Sequence, residues 1–221
     1  MRLYISSYRT GNATQELIRM ARGNMRAVVI NNASDYGTPD KRAEQMQKQV
    51  DMLVPLGFQV EEIDLRQYFG KPEELENKLE GFGLVWLKGG KSFVLKRAIE
   101  ESGFEVIIKK MLASDSIIYG GYSAGGVVAS ATMRGIELVE DALFVPEGYR
   151  PEFEWNGMNL IPYSFVPHYR SNHSSAEAME KIVAYFEAHN MPYKALRDGE
   201  VIVVDGDKEW IAGKPDTKER V

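Results

Sequence analysis

The chain has no cysteine among its 221 residues, which excludes disulfides, thiolate metal sites and a cysteine nucleophile and agrees with a reducing cytoplasm. Histidine is scarce: imidazole chemistry has only His168, His173 and His189 to draw on. Positive charge is outnumbered, with 27 Lys and Arg against 32 Asp and Glu, and no stretch gathers basic residues without interleaved acids. A nucleic-acid footprint is therefore not expected. No apolar run approaches a membrane span, and Met1 to Ser7 lacks the apolar core of a secretory signal. The expectation is a soluble, cytoplasmic chain without membrane or nucleic-acid partners, a monomer or small homo-oligomer. Internal repeats, low-complexity tracts and linker-like segments are also missing. The 44% hydrophobic content suffices for one core, so residues 1–221 read as a single domain.

What is present is an alternation of short apolar runs with helical patterns. Arg2 to Ser6, Ala27 to Ile30, Phe58 to Leu65, Leu84 to Leu87 and Ile117 to Gly120 read as strands. The order implies an α/β fold with a doubly wound, mostly parallel sheet and helices on both faces. Between the second and third strands, Thr38 suits an N-cap and Pro39 a first turn, and Ala43, Met46, Val50 and Leu53 follow at helical spacing before Gly57. A second helix is expected from Ser174, where Glu177 completes a capping box, to Asn190 and Pro192. Met179, Ile182, Val183 and Phe186 form its apolar face. Towards the end, Lys194 to Leu196, Glu200 to Val204 and Lys208 to Ala212 are separated by Asp198-Gly199 and Asp205-Gly206-Asp207, which predicts an antiparallel meander on the sheet edge. The tail after Gly213 reads as frayed. Leu138 to Gly157, punctuated by Pro146, Gly148 and Pro151, reads as a loop excursion roofing the active face.

The residues with chemistry begin at Gly121-Tyr122-Ser123-Ala124-Gly125, directly after the fifth apolar run. G-x-S-x-G after a strand and before a helix is the pattern of a nucleophile elbow, in which small residues two positions either side of the serine avoid a steric clash. Such a turn exposes Ser123 Oγ at the carboxyl end of the strand and aims the following backbone N–H groups at the reacting centre. The base must be a histidine. His168 ends the strand-like run Phe165-Val166-Pro167, whereas His173 lies in a polar loop and His189 at a helix end suited to a structural cation. A histidine base implies an acidic limb at roughly pH 6 to 7 in the specificity constant. For the third member, Glu137, Glu140 and Asp141 precede His168, Asp198 and Glu200 follow it, and spacing alone leaves all five open. Lys88-Gly89-Gly90-Lys91-Ser92, two glycines between a strand and a helix, offers the second part of an oxyanion hole. It is not a phosphate loop, because Val85 stands where that motif needs glycine.

Leu87-Lys88-Gly89-Gly90, Gly121-Tyr122-Ser123-Ala124-Gly125 and Val166-Pro167-His168-Tyr169, in that order, resemble the peptidase E family of serine peptidases, α-aspartyl dipeptidases with cyanophycinases as relatives. The resemblance runs through most of the chain and is strongest from Leu84 to His173. It implies a fold like the class I glutamine amidotransferases, with serine in place of their cysteine. It also implies a Ser-His-acid dipeptidase acting on short peptides with an N-terminal aspartate, without metal or organic cofactor. Ser123 and His168 carry over directly, and a one-residue gap brings the family's acid to Glu137. Ala124 with Gly89 or Gly90 would form the oxyanion hole. Arg170, two residues after His168, is the candidate cation for an acidic substrate, and the alternative is Lys91, which stands in Gly89-Gly90-Lys91 where the family usually has Gly-Gly-Asn. Two alternatives share the motif: an esterase of the α/β-hydrolase class, and a non-catalytic small-ligand-binding protein that retains the elbow.

Overall fold

The computed structural model describes residues 1–216. In chain order its elements are β1 (Arg2–Ser6), α1 (Thr14–Ala21), β2 (Arg26–Ile30), α2 (Pro39–Leu53), β3 (Gln59–Ile63), α3 (Pro72–Leu79), β4 (Leu84–Leu87), α4 (Ser92–Ser102), α5 (Phe104–Ala113), β5 (Ile118–Tyr122), α6 (Ala124–Val127), β6 (Ser164–Val166), α7 (Ala176–Ala188), β7 (Tyr193–Ala195), β8 (Val201–Asp205) and β9 (Lys208–Ala212). Seven strands form one sheet in the order β3-β2-β4-β5-β1-β8-β9. The first five are parallel, and β8 and β9 add an antiparallel edge. The central strands are apolar almost without interruption because both faces are covered. Alternate residues serve opposite cores: Tyr4, Leu84, Trp86 and Tyr122 pack towards α1 and α2, whereas Leu3, Ile5, Val85 and Leu87 pack towards α3 to α7. Each fully buried leucine on these strands contributes about 1.5–3 kcal/mol.

Local chemistry sets the start of α2 as the sequence predicts. Thr38 Oγ1 accepts the Lys41 amide at 3.4 Å, with Pro39 in the first turn of α2. At α7 the expected Ser174–Glu177 box does not form. His173 Nδ1 accepts the amide of the N-cap residue, Ser175, at 3.1 Å. The meander is also only partly realised: β8 and β9 extend the main sheet, but β7 pairs in parallel with β6 as a separate two-stranded sheet. Beyond Gly213, Asn12 Nδ2 donates to both Lys214 O and Asp216 Oδ1 at 2.8 Å, which ties that stretch down. The remainder of the tail expected to fray, residues 217–221, lies outside the described residues. Among the described residues, no helix is long and apolar enough to cross a membrane.

The segment 138–157 is irregular, as expected, but it is fastened. Arg97, buried in α4, donates to Ala142 O at 2.8 Å and to Pro151 O at 2.9 Å, and its guanidinium lies over the Phe153 ring. One buried side chain thus satisfies carbonyls that the loop cannot pair itself.

Candidate active site

β5 delivers the chain into a strained turn. Ser123 has φ 50° and ψ −114°, a conformation an L-residue holds only when its surroundings impose it, at a cost of about 1–3 kcal/mol. Its amide donates to Ser6 O on the neighbouring strand at 3.3 Å. The glycines on either side allow α6 to press against β4. A Cβ on Gly125 would lie 2.3 Å from Leu87 O and one on Gly121 2.8 Å from the same oxygen. Because that obstacle is backbone, Gly125→Ala is expected to lower stability by about 3 kcal/mol, measured by urea denaturation.

His168 reaches the same place from a different sheet. After β6, Pro167 leads into His168 at φ 58°, and the His168 amide donates to Ser7 Oγ at 2.7 Å. The Tyr169 amide then donates to Leu196 O at 3.0 Å, continuing the β6–β7 register. Held in this way, His168 Nε2 lies 3.1 Å from Ser123 Oγ, and its Nδ1 lies 2.8 Å from Asp198 Oδ1. Ser7 Oγ donates to the same carboxylate oxygen at 2.7 Å. Burial raises the Asp198 carboxyl, but the hydrogen bond and charge of His168 and the hydrogen bond from Ser7 outweigh it, and the net position is below the usual carboxylate range. An ionised Asp198 fixes the tautomer with hydrogen on Nδ1, leaving the Nε2 lone pair free for the serine proton.

The structure brings together Ser123 and His168, but the carboxylate on His168 is Asp198, not Glu137. Glu137 makes no hydrogen bond to the imidazole, and its Oε2 is buried without a partner. Glu140 accepts the Phe93 amide of α4 at 3.0 Å, Asp141 accepts the Leu143 amide, and Glu200 accepts the Arg197 amide. Arg170 is likewise elsewhere: it is exposed, its Nε bonds Glu180 at 3.1 Å, and its guanidinium lies over Tyr169, away from the Ser123 cleft. Lys91 does line that cleft. Of the other histidines, His173 stacks on His168 with ring centres 3.7 Å apart, and its imidazole is pushed below its ordinary value by burial first and by His168 second. His189 bonds Tyr185 O within α7. Ser7 and Tyr8, which packs edge-on against both His168 and His173, were not foreseen. The available signal was a pair of serines ending the strand beside the elbow.

The cleft measures about 860 Å³ and straddles the carboxyl edge of the sheet. On the α6 and α7 side it is walled by Val127, Ile136, Val139, Met179 and Ile182. On the α2 side the wall is polar, with Gln45, Lys48, Gln49 and Lys88. Gly89 sits against the elbow, its hypothetical Cβ only 3.0 Å from Ser123 Cβ and 2.7 Å from the Tyr122 ring. The amides on either side of the glycine pair are engaged, Lys88 N with Ile30 O and Lys91 N with Ala33 O, so the Gly89-Gly90 backbone is held in place beside the serine.

A model of peptidase family S51 matches residues 5–211. The chain is 30% identical over 173 residues to the "Probable alpha-aspartyl dipeptidase" of Drosophila melanogaster, covering 76% of this chain and 66% of that one. It is 28% identical over 146 residues to peptidase E of Streptomyces coelicolor, covering 64% of this chain and 56% of that one. The matched region thus spans about two thirds or less of these relatives. Among solved structures, a "Putative Peptidase E Protein" of Listeria monocytogenes EGD-e superposes with a TM-score of 0.75 at 22% identity, over 96% of this chain and 98% of the other. A peptidase from an acI-B1 Actinobacterium superposes with a TM-score of 0.72 at 11% identity, over 96% and 87%. The structural matches share the fold, and the family match runs through every strand that positions Ser123, His168 and Asp198: the chain belongs to peptidase family S51.

Proposed function

We propose that the protein is a serine peptidase that hydrolyses short peptides, preferentially dipeptides with an N-terminal aspartate, through Ser123, His168 and Asp198. The observation that carries this reading is the unbroken line from Ser123 Oγ through both imidazole nitrogens to a buried carboxylate, at 3.1 and 2.8 Å. Ser123 Oγ attacks the scissile carbonyl carbon and gives its proton to His168 Nε2. The backbone N–H groups of Ala124 and of Gly89 or Gly90 hold the oxyanion as it forms. His168 then protonates the leaving amine, the C–N bond breaks, and an acyl-enzyme remains on Ser123. Water, deprotonated by the same Nε2, releases the acid product and restores the serine. The apolar wall suits a side chain of the peptide, and the fastened 138–157 segment contributes Val139 and Glu140 to that wall, which favours small substrates over long chains.

The preference for aspartate is supported by the name of the Drosophila relative. It is tested by comparing Asp-Leu, Asn-Leu, Leu-Leu and short-chain esters on the wild-type protein. Hydrolysis of Asp-Leu ahead of Leu-Leu is the expected result, and ester cleavage without peptide cleavage overturns the reading. Arg170→Ala should leave the ratio of Asp-Leu to Leu-Leu rates unchanged, because its guanidinium is committed to Glu180 outside the cleft.

A further inference from the structure

Two lysines are buried among the described residues, and the fold treats them differently. Lys96, 1% exposed, has Glu100 at 2.8 Å and Glu105 at 3.8 Å. Lys88, 5% exposed, has no carboxylate within 4 Å among the described residues, and its Nζ donates only to Gly89 O, at 2.6 Å. An ammonium carries three donors, and burying its charge beside a single neutral carbonyl is costly. Lys88 continues the alternation of β4 to the α2 side of the sheet, where it lines the Ser123 cleft. It follows directly on β4, and a Cβ on the next residue, Gly89, would lie 3.0 Å from Ser123 Cβ.

The described residues around the cleft offer Lys88 no ion-pair partner. On that side, Lys48 from α2 and Arg9 from the segment after β1 also face the cleft, and Lys48 is already paired with Glu44 at 2.6 Å. Asp51 on α2 accepts from Gln47, and Glu140, near Lys91, is tied to the amide of Phe93. The Tyr122 hydroxyl, pushed up to about 12 mainly by burial, stays neutral and bonds Gln49. The elbow side supplies His168 and His173, neither of them an acid. No acid of the described residues compensates Lys88.

We propose that Lys88 is the carboxylate-binding residue of the cleft, its ammonium taking a carboxylate of the bound peptide, carried either on an acidic side chain or at the free C-terminus. The assignment rests on the peptidase reading for the identity of the ligand, but its test does not rest on turnover. Burial first, and Lys48 second, bring the Lys88 ammonium down to about 8. It is charged at neutral pH and loses its proton above that value, so affinity for a carboxylate falls as pH rises past about 8.

The test is binding of Asp-Leu, Asn-Leu and Asn-Leu-amide to the Ser123→Ala protein by calorimetry, with and without Lys88→Met. Replacing the carboxylate recognised by Lys88 with an amide should weaken binding about ten- to a hundredfold, and Lys88→Met should abolish that difference. A difference between Asp-Leu and Asn-Leu assigns the side chain, and one between Asn-Leu and Asn-Leu-amide assigns the C-terminus. The lysine-bearing protein alone gives a second readout: the ratio of carboxylate to amide affinity, each corrected for the separately titrated α-amine of its own peptide, should fall between about pH 6.5 and about pH 9.5. Equal affinities for all three peptides, a difference that survives Lys88→Met, or a ratio independent of pH overturns the proposal. Binding as expected with no turnover by the wild-type protein leaves Lys88 as an anion site and overturns the peptidase reading instead.

Discussion

Ser123→Ala is expected to lower kcat for a cleaved dipeptide by about five to six orders of magnitude, because the nucleophile acts as a unit with its base and its loss removes the covalent route entirely. His168→Ala should fall to a similar residual rate, and the double variant should be no worse than either single one. The fold should survive. The serine hydroxyl is not part of the contact that seats α6 on β4, which is made by Gly121 and Gly125 against Leu87, and alanine keeps the Cβ that already stands beside Gly89. Single-turnover kinetics with circular dichroism separate the two effects: retention of most of the peptidase rate by Ser123→Ala sinks the proposed mechanism, whereas loss of both rate and ellipticity assigns a structural role to the hydroxyl.

Asp198→Asn should lower kcat by about 10⁴-fold with little change in KM. The charge that stabilises the imidazolium is gone, and an amide turned with its NH₂ towards Nδ1 selects the tautomer whose Nε2 carries hydrogen and cannot accept from Ser123. Glu137→Gln should leave kcat unchanged, since Glu137 has no hydrogen bond to His168 and an amide in its place removes an unpaired buried carboxylate oxygen. Steady-state rates of the two variants on one dipeptide decide between them, and the opposite ranking moves the acid to Glu137. Because the Asp198 carboxyl is depressed in the folded protein, its stabilising contribution is complete above the ordinary carboxylate range and is lost only as pH falls through its lowered value. The Asn variant should therefore lose most stability at neutral pH and least in strong acid, as read from denaturant midpoints against pH.

Much of this architecture was legible in the chain because the signals are local. Thr38 and Pro39 start a helix through their own backbone chemistry, and Gly121 and Gly125 announce the elbow because the clash they avoid lies within the same strand–turn–helix unit and its immediate neighbour. Asp198 was legible only in part. Asp198-Gly199 reads as a turn, and Gly199 does take φ 94°, but nothing local to a turn says that its aspartate faces an imidazole 30 residues upstream. That contact depends on β6 pairing with β7 and on Ser7 bridging the two, which are tertiary events. The Ser174–Glu177 box failed because the helix begins at Ala176 with Ser175 as its N-cap, which puts Ser174 and Glu177 one residue out of the register that a box requires. Arg170 was misjudged by proximity along the chain. At φ 50° it turns out towards Glu180, and two residues of separation from His168 place it on another surface.

The position of β1 has a consequence for how the chain is made. It precedes the other described strands along the chain, yet it lies between β5, with Arg2 opposite Ile118, and β8, with Arg2 opposite Asp205. Both hydrogen-bonding edges of a strand whose Leu3, Tyr4 and Ile5 are wholly buried must wait for partners encoded far downstream. At ordinary rates of translation on the order of ten to forty seconds separate the synthesis of β1 from that of β8, and contacts of such long sequence separation form slowly even once both strands are present. Both edges of this apolar ribbon are therefore unpaired until β5 is made, and one of them until β8 follows, which makes it a natural client for a holding chaperone. Ser7, Asp198 and β8 fall into place in the same late step, so the closing of the sheet and the completion of the Ser123–His168–Asp198 line are a single event, and ribosome-bound chains stalled before Val201 should be inert.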